Sequence, residues 1–152
     1  MSFWDSMRIG LSALTAQRLR LDTISNNIAN AETTRTAEGG AYKREDVVFA
    51  TRDRSSFLPA LVLAQRNTGN SGLLPMDGVQ VARITQDETP GPRVYDPTHP
   101  DADADGYVTY PNVNIVTEMT NMLSASRSYE AGLAVIDMAK RMALRALDIG
   151  RG

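Results

Sequence analysis

The chain has 152 residues, 42% of them apolar and 22% charged, which fits one ordinary domain or two small ones and excludes global disorder or a collagen-like fibre. Sixteen basic against eighteen acidic residues leave a net charge of −2, without the basic surplus that a nucleic-acid partner needs. With no cysteine there can be no disulfide, thiol catalysis or thiolate metal site, and the single histidine, His99, rules out a multi-histidine zinc site.

No apolar run reaches the length of a bilayer crossing, and the N-terminus lacks the basic stretch and apolar core of a secretory signal. Residues 1–30 and 113–152 each sum to +1, whereas 31–112 sum to −4 and hold all seven prolines. This partition predicts a discontinuous organisation. Two long terminal helices, 1–30 and 113–152, form one unit, and 31–112 is a loop-and-strand insertion. The expected fold is mainly α with a small β/loop insertion, its terminal helices paired as an antiparallel coiled coil around a central β-hairpin and extended segment.

The first helix is expected from Phe3 to Ala29, with Ser2 and Asp5 in the arrangement of a capping box. Steps of four and three from Met7 pass through Leu11, Leu14, Arg18, Leu21, Ser25 and Ile28, a heptad seam. The run Asn26-Asn27-Ile28-Ala29-Asn30 is its exit, since Asn tolerates the left-handed conformation that ends helices.

In the insertion, Gly39-Gly40 marks a turn before a strand over Tyr42–Phe49. The run Leu58–Leu63 is demoted by Pro59 to an edge strand or irregular segment. Residues 67–78, rich in Asn, Gly and Ser, read as a loop closing on the turn signal Asp77-Gly78. A strand over Val79–Thr85 follows. Pro90, Pro92, Pro97 and Pro100 predict irregular chain up to a short last strand, Tyr107–Tyr110.

The second long helix is expected from a cap at Asn114 to Asp148, closed by Gly150, with Glu118 at the positive end of its dipole and Lys140, Arg141 and Arg145 towards the other. Its seam runs through Ile115, Met119, Met122, Ser126, Tyr129, Leu133, Ile136, Lys140, Ala143 and Leu147. At 1.5 Å per residue the two helices are rods of roughly 40 and 50 Å. Phe3, Trp4, Ile9, Leu19, Leu123, Val135, Met138, Met142 and Leu144 lie off the seams, so one helix pair cannot bury them. Other chains must. The candidate assembly interface is therefore Met7, Leu11, Leu14, Leu21 and Ile28 with Ile115, Met119, Met122, Tyr129, Leu133, Ile136 and Leu147.

Asp101-Ala102-Asp103-Ala104-Asp105-Gly106 matches the front half of an EF-hand loop, so Asp101, Asp103 and Asp105 are candidate calcium ligands. The back half fails, because position twelve is Asn112 and prolines preclude an entering helix. The competing reading is an acidic turn with Gly106 at positive φ. His99 beside Asp96 could pair as acid and base, but no nucleophile elbow or phosphate loop accompanies them, and no catalytic residue is assigned.

Asn26-Asn27-Ile28-Ala29-Asn30, then Thr33-Thr34-Arg35-Thr36 and Gly39-Gly40-x-Tyr42, resembles the N-terminal signature of bacterial flagellar rod and hook proteins. Val94-Tyr95-Asp96-Pro97-x-His99-Pro100, running on through Gly106-Tyr107-Val108 to Tyr110-Pro111-Asn112-Val113-Asn114, resembles the proximal-rod group of that family. So do Glu118-Met119, Ala125-Ser126-Arg127-x-Tyr129-Glu130-Ala131 and Leu147-Asp148-Ile149-Gly150-Arg151. The residues carrying the signature are Asn26, Asn27, Asn30, Thr33, Gly40, Tyr42, Tyr95, Asp96, Pro97, His99 and Gly106. Gly132 departs from it, standing where the family usually has Asn.

The resemblance implies a structural subunit of the flagellar basal-body rod in the periplasm, without enzyme activity or cofactor, transmitting motor torque. It implies terminal helices forming the inner tube of the rod, with the central segment outside. The implied partners are copies of the chain, other proximal and distal rod subunits, the rod-base adaptor to the membrane ring and the flagellar type III export apparatus. Membrane insertion is not among the implications. The alternatives are another axial protein, distal-rod or hook-associated, and a calcium-dependent binding module.

Overall fold

In the computed structural model, residues 3–52 and 78–150 are described. Helix α1 spans Phe3–Ala29, the expected range; Asp5 lies in its first turn and pairs with Arg8 at 3.0 Å. The expected cap Ser2 lies outside the described residues. The exit differs from expectation, because no described non-glycine residue has positive φ. Asn30 instead turns back on the helix, donating to the Asn26 carbonyl from its side-chain Nδ2 at 2.9 Å and from its backbone N–H at 3.0 Å. A side-chain cap here replaces the left-handed turn.

Helix α2 spans Ile115–Ile149. Asn114 caps it as expected, its Oδ1 accepting from the N–H groups of Val116 and Thr117 at 3.0 and 3.1 Å. Gly150 closes the other end in right-handed geometry, φ −78°. Lys140, Arg141 and Arg145 lie in the C-terminal turns before the last, which itself holds no basic residue, and Arg141 pairs with Asp137.

Strand β1, Glu45–Thr51, pairs antiparallel with β2, Val79–Gln86, with a bulge at Val48/Phe49. It starts three residues later than the sequence suggests, because the Tyr42 N–H already donates to the Thr33 carbonyl at 3.0 Å. Gly78 opens β2 at φ +114°, and its carbonyl accepts from the Arg52 N–H at 2.9 Å. The expectations for Leu58–Leu63, for residues 67–77 and for Asp77 fall outside the described residues.

Strand β3, Arg93–Tyr95, pairs with β4, Tyr107–Thr109, where sequence gave β3 as irregular chain. Pro92 and Pro97 flank the three paired residues without entering the ladder. A two-stranded ribbon tolerates that, because its outer edge needs no donor.

Sheet β1–β2 packs on α1, and α1 packs along α2. Asn27 meets Glu118, Leu14 meets Gly132, and Gly10 meets Ile136. Only one line of each expected seam faces the partner helix. Met7, Leu14, Leu21 and Ile28, and Met122, Tyr129 and Ile136, are partly buried, whereas Leu11, Ile115, Met119, Leu133 and Leu147 are exposed. The buried line of α2 is instead Glu118, Ala125 and Ala139, with Gly132 at the same spacing.

The cause is steric. A Cβ at Gly132 would stand 2.9 Å from Leu14 Cδ2, and one at Gly10 would stand 3.0 Å from Ile136 Cγ1. Glycine costs a helix about 1 kcal/mol relative to alanine; here it lets the two backbones approach, which a seam of large side chains on both lines would prevent. Gly132 thus serves the packing of this chain.

Candidate assembly site

The node behind the helix pair begins with Asn27, which is 0% exposed and uses every valence of its amide. Its Oδ1 accepts from the Glu45 N–H at 2.9 Å and the Tyr42 hydroxyl at 3.0 Å. Its Nδ2 donates to the Glu45 carbonyl at 2.8 Å and to Glu118 Oε2 at 3.3 Å. Glu118, 1% exposed, accepts on its other oxygen from Arg44 Nε at 3.0 Å and Asn121 Nδ2 at 3.4 Å. Burial, reinforced by Glu45 and Glu118, pushes the Tyr42 phenol above its ordinary value, so it stays a donor. One amide thus ties α1, β1 and α2 together.

The chain between Asn27 and Tyr42 is a compact turn. Thr33 Oγ1 donates to Asn30 Oδ1 at 3.2 Å, and the Thr36 N–H to the Gly40 carbonyl at 2.9 Å. Gly39 and Gly40 hold φ +89° and +80°, which side-chain-bearing residues rarely adopt. The exposed Asn26 reaches the Tyr42 hydroxyl at 3.5 Å.

The aspartates of the second loop do separate jobs. Asp101 accepts from Thr34 Oγ1 at 2.8 Å and lies 3.5 Å from Arg35, so the two sequence signatures meet in space. Asp103 Oδ1 accepts from the N–H groups of Asp105 and Tyr107 at 3.0 and 2.9 Å, while Oδ2 takes Arg93 at 2.5 Å. Its hydrogen bond from the Tyr107 amide, more than any other contact, holds the carboxyl below the usual carboxylate range. Asp96 is held low by Thr98, whose hydroxyl and N–H both donate to it.

His99 Nδ1 accepts from the Asp101 N–H at 3.1 Å, so the supposed acid–base pair with Asp96 is a pair of turn-forming side chains. Among the described residues no three His, Cys, Asp or Glu side chains are grouped to hold a metal ion. Tyr95 packs edge-to-face on Tyr107 at 5.3 Å, and Gly106, φ +80°, closes the loop beneath Tyr95.

Part of the remaining helix surface is apolar. Beyond the lines facing α1, helix α2 exposes Val116, Leu123, Val135, Met138, Met142, Leu144 and Ile149, and α1 exposes Trp4, Leu11 and Leu19. No described helix is long and apolar enough to cross a membrane.

Comparison with known proteins decides the family. The chain is 44% identical over its whole length to the flagellar basal-body rod protein FlgC of Borreliella burgdorferi, all of which is covered. The chain belongs to the FlgC family of flagellar basal-body rod proteins. It is likewise 41% identical to the FlgC of Bacillus subtilis over 99% of this chain and 100% of that one, and 38% identical to that of Salmonella typhimurium over 92% of each. Residues 7–35 match the family described as flagella basal body rod protein, and residues 104–149 the family described as flagellar basal body rod FlgEFG protein C-terminal. It is a structural rod protein located in the flagellar basal body.

Within this family frame, Asn27, Asn30, Thr33, Gly40 and Tyr42 build the turn and node, while Tyr95, Asp96, Pro97, His99 and Gly106 build the β3–β4 loop. Sequence reasoning missed three parts of the site. Arg44 carries no signal in the sequence; Glu118 has the place of a dipole partner there, although it shares a heptad line with Ala125, Gly132 and Ala139. Gly91 was overlooked altogether, yet a Cβ there would stand 1.9 Å from the Tyr110 carbonyl oxygen.

Gly106→Val is expected to destabilise this loop by about 1–3 kcal/mol, since it forces a β-branched residue to positive φ. Its Cβ would also stand 2.9 Å from Tyr95 Cε2. Asp103→Asn should cost less; thermal melts of the two variants give the order. Asp103, with its folded pKa depressed, stabilises the loop above the ordinary carboxylate range and loses that contribution as pH falls through the lowered value. Amide exchange at Tyr107 and Asp105 should therefore accelerate, relative to that of unstructured amides, only in strong acid. Acceleration already near neutrality would contradict this.

Proposed function

We propose that the chain polymerises through its terminal helices into the axial drive shaft of the flagellum, the proximal part of the rod, and transmits motor torque. The carrying observation is the surface of α2. Around that helix, two lines, those of Gly132 and Ile136, meet α1 and one other, Thr120, Arg127, Ala134, Arg141 and Asp148, lacks large apolar residues. Every remaining line carries them, many exposed. A helix apolar on so many sides presents a surface that other helices bury.

In this reading 1–30 and 113–152 act as one discontinuous domain, an antiparallel coiled coil in the inner tube, and 31–112 packs outside. The opposed contacts Leu14–Gly132 and Gly10–Ile136 support the pairing. The position of the sheet on α1 alone, at one flank of the helix pair, supports the layering. The partners are copies of the chain, other proximal and distal rod subunits and the rod-base adaptor in the periplasm, after passage through the flagellar type III apparatus. The role calls for no catalytic residue. The test is assembly in cells carrying interface variants, with the rod purified and its subunits identified.

The Asp101–Asp105 loop belongs to this reading as a structural turn. Asp101 and Asp103 already spend their oxygens on Thr34, Arg93 and backbone donors. Calorimetric titration with calcium is expected to show no micromolar binding; micromolar binding abolished by Asp103→Asn would favour a calcium module instead.

A further inference from the structure

We propose that the buried cluster of Asn27, Arg44 and Glu118 is a register lock, the feature that selects one sliding position of α1 against α2 and fixes the β1–β2 hairpin to it. The rest of the contact between the helices repeats. Met7, Leu14, Leu21 and Ile28 recur every seven residues on α1, as Ala125, Gly132 and Ala139 do on α2. Sliding one helix by a heptad, about 10.5 Å, still sets apolar side chains against apolar ones, with Ala125 or Ala139 in place of Gly132 opposite the flexible end of Leu14. Contacts of this sort define a face but not a position along it.

Glu118 breaks the repeat. It occupies the line otherwise filled by alanine and glycine, and it is buried. In the observed position its two oxygens meet Asn27 at 3.3 Å and Arg44 at 3.0 Å. A slide of one heptad in one direction sets Asn27 against Ala125 and carries Glu118 past the end of α1 at Ala29; a slide in the other carries Asn27 past the start of α2 and sets Glu118 near Arg20. Either slide moves Glu118 about 10.5 Å from both Asn27 and Arg44, so the half-buried Arg44 loses its nearest carboxylate and Asn27 its fourth hydrogen bond, which disfavours both alternatives.

A single polar group at an otherwise apolar seam position is a known way to specify register at some expense of stability. Here the lock reaches further. Asn27 also holds both backbone groups of Glu45, at 2.9 and 2.8 Å, so the hairpin is placed by the same contact. The inference concerns the single chain and stands whether or not the assembly reading does.

The test uses the full chain, whose lack of cysteine makes labelling clean. Spin labels are attached through Arg18→Cys and Asp148→Cys, both exposed positions. With the cluster intact, electron–electron distance measurement should give one narrow distance. With Asn27→Leu, Arg44→Met and Glu118→Met combined, helical circular dichroism should persist and a second distance, shifted by about 10 Å, should appear. Glu118→Gln, which keeps the hydrogen-bonding shape, should retain the single distance. One narrow distance in the triple variant, loss of its helical signal, or a broad distribution with the cluster intact would each overturn the lock.

Discussion

Replacing Glu118 by alanine should cost about 3–5 kcal/mol, the scale for breaking a buried ion pair by removing one partner. The loss is large because three groups depend on that carboxylate. Arg44 donates to it from Nε and Nη2, both at 3.0 Å, Asn121 at 3.4 Å, and Asn27 at 3.3 Å. With the carboxylate gone, the Arg44 guanidinium, whose side chain is only 23% exposed, keeps its charge and loses its nearest counter-ion, leaving among the described residues only Asp46 at 3.9 Å. Glu118→Gln should cost less, because the amide oxygen still accepts. Denaturant titration of both variants measures the difference; equal, small losses would show that Glu118 does not organise the node.

Leu133→Asp should abolish rod assembly and swimming while changing the stability of the isolated chain by no more than about 1 kcal/mol. Leu133 is 46% exposed in the single chain, so a carboxylate there stays hydrated until a neighbour covers it. Covering it leaves an unpaired charge in an apolar contact, at several kcal/mol, and the defect repeats in every subunit. Ile136→Asp makes the contrast. That side chain lies against Gly10 inside the pair, so the substitution should destabilise the chain itself. Normal motility of the Leu133 variant would remove that position from the interface.

The helices were legible because their signals are local. Asn114, the proline-free flanks and the apolar periodicity set both spans to within a residue or two. The faces were less legible. Heptad stepping from Met7 and Ile115 weighs large apolar residues, whereas the closest approach of the helices is set by Gly10, Ala125, Gly132 and Ala139, which such stepping ignores. The node was not legible at all as a contact. Asn27 and Glu118 are 91 positions apart, and only their meeting in space gives Asn27 a reason to be there. Strand β3 was hidden for another reason, since the prolines that argued against it flank the ladder without entering it. The Asp loop showed its shape in sequence, and its turn chemistry followed from residue type alone.

The central claim is that the exposed apolar lines of α2 are covered by other chains in the rod. The absence of cysteine allows a direct measurement with Leu133→Cys as the one thiol in the chain. Its rate of maleimide labelling is compared in isolated protein, in intact basal bodies and in basal bodies dissociated by acid and returned to neutral pH. The account predicts rapid labelling of the isolated and dissociated protein and strong protection in the intact rod. Labelling at the same rate in intact basal bodies would contradict it.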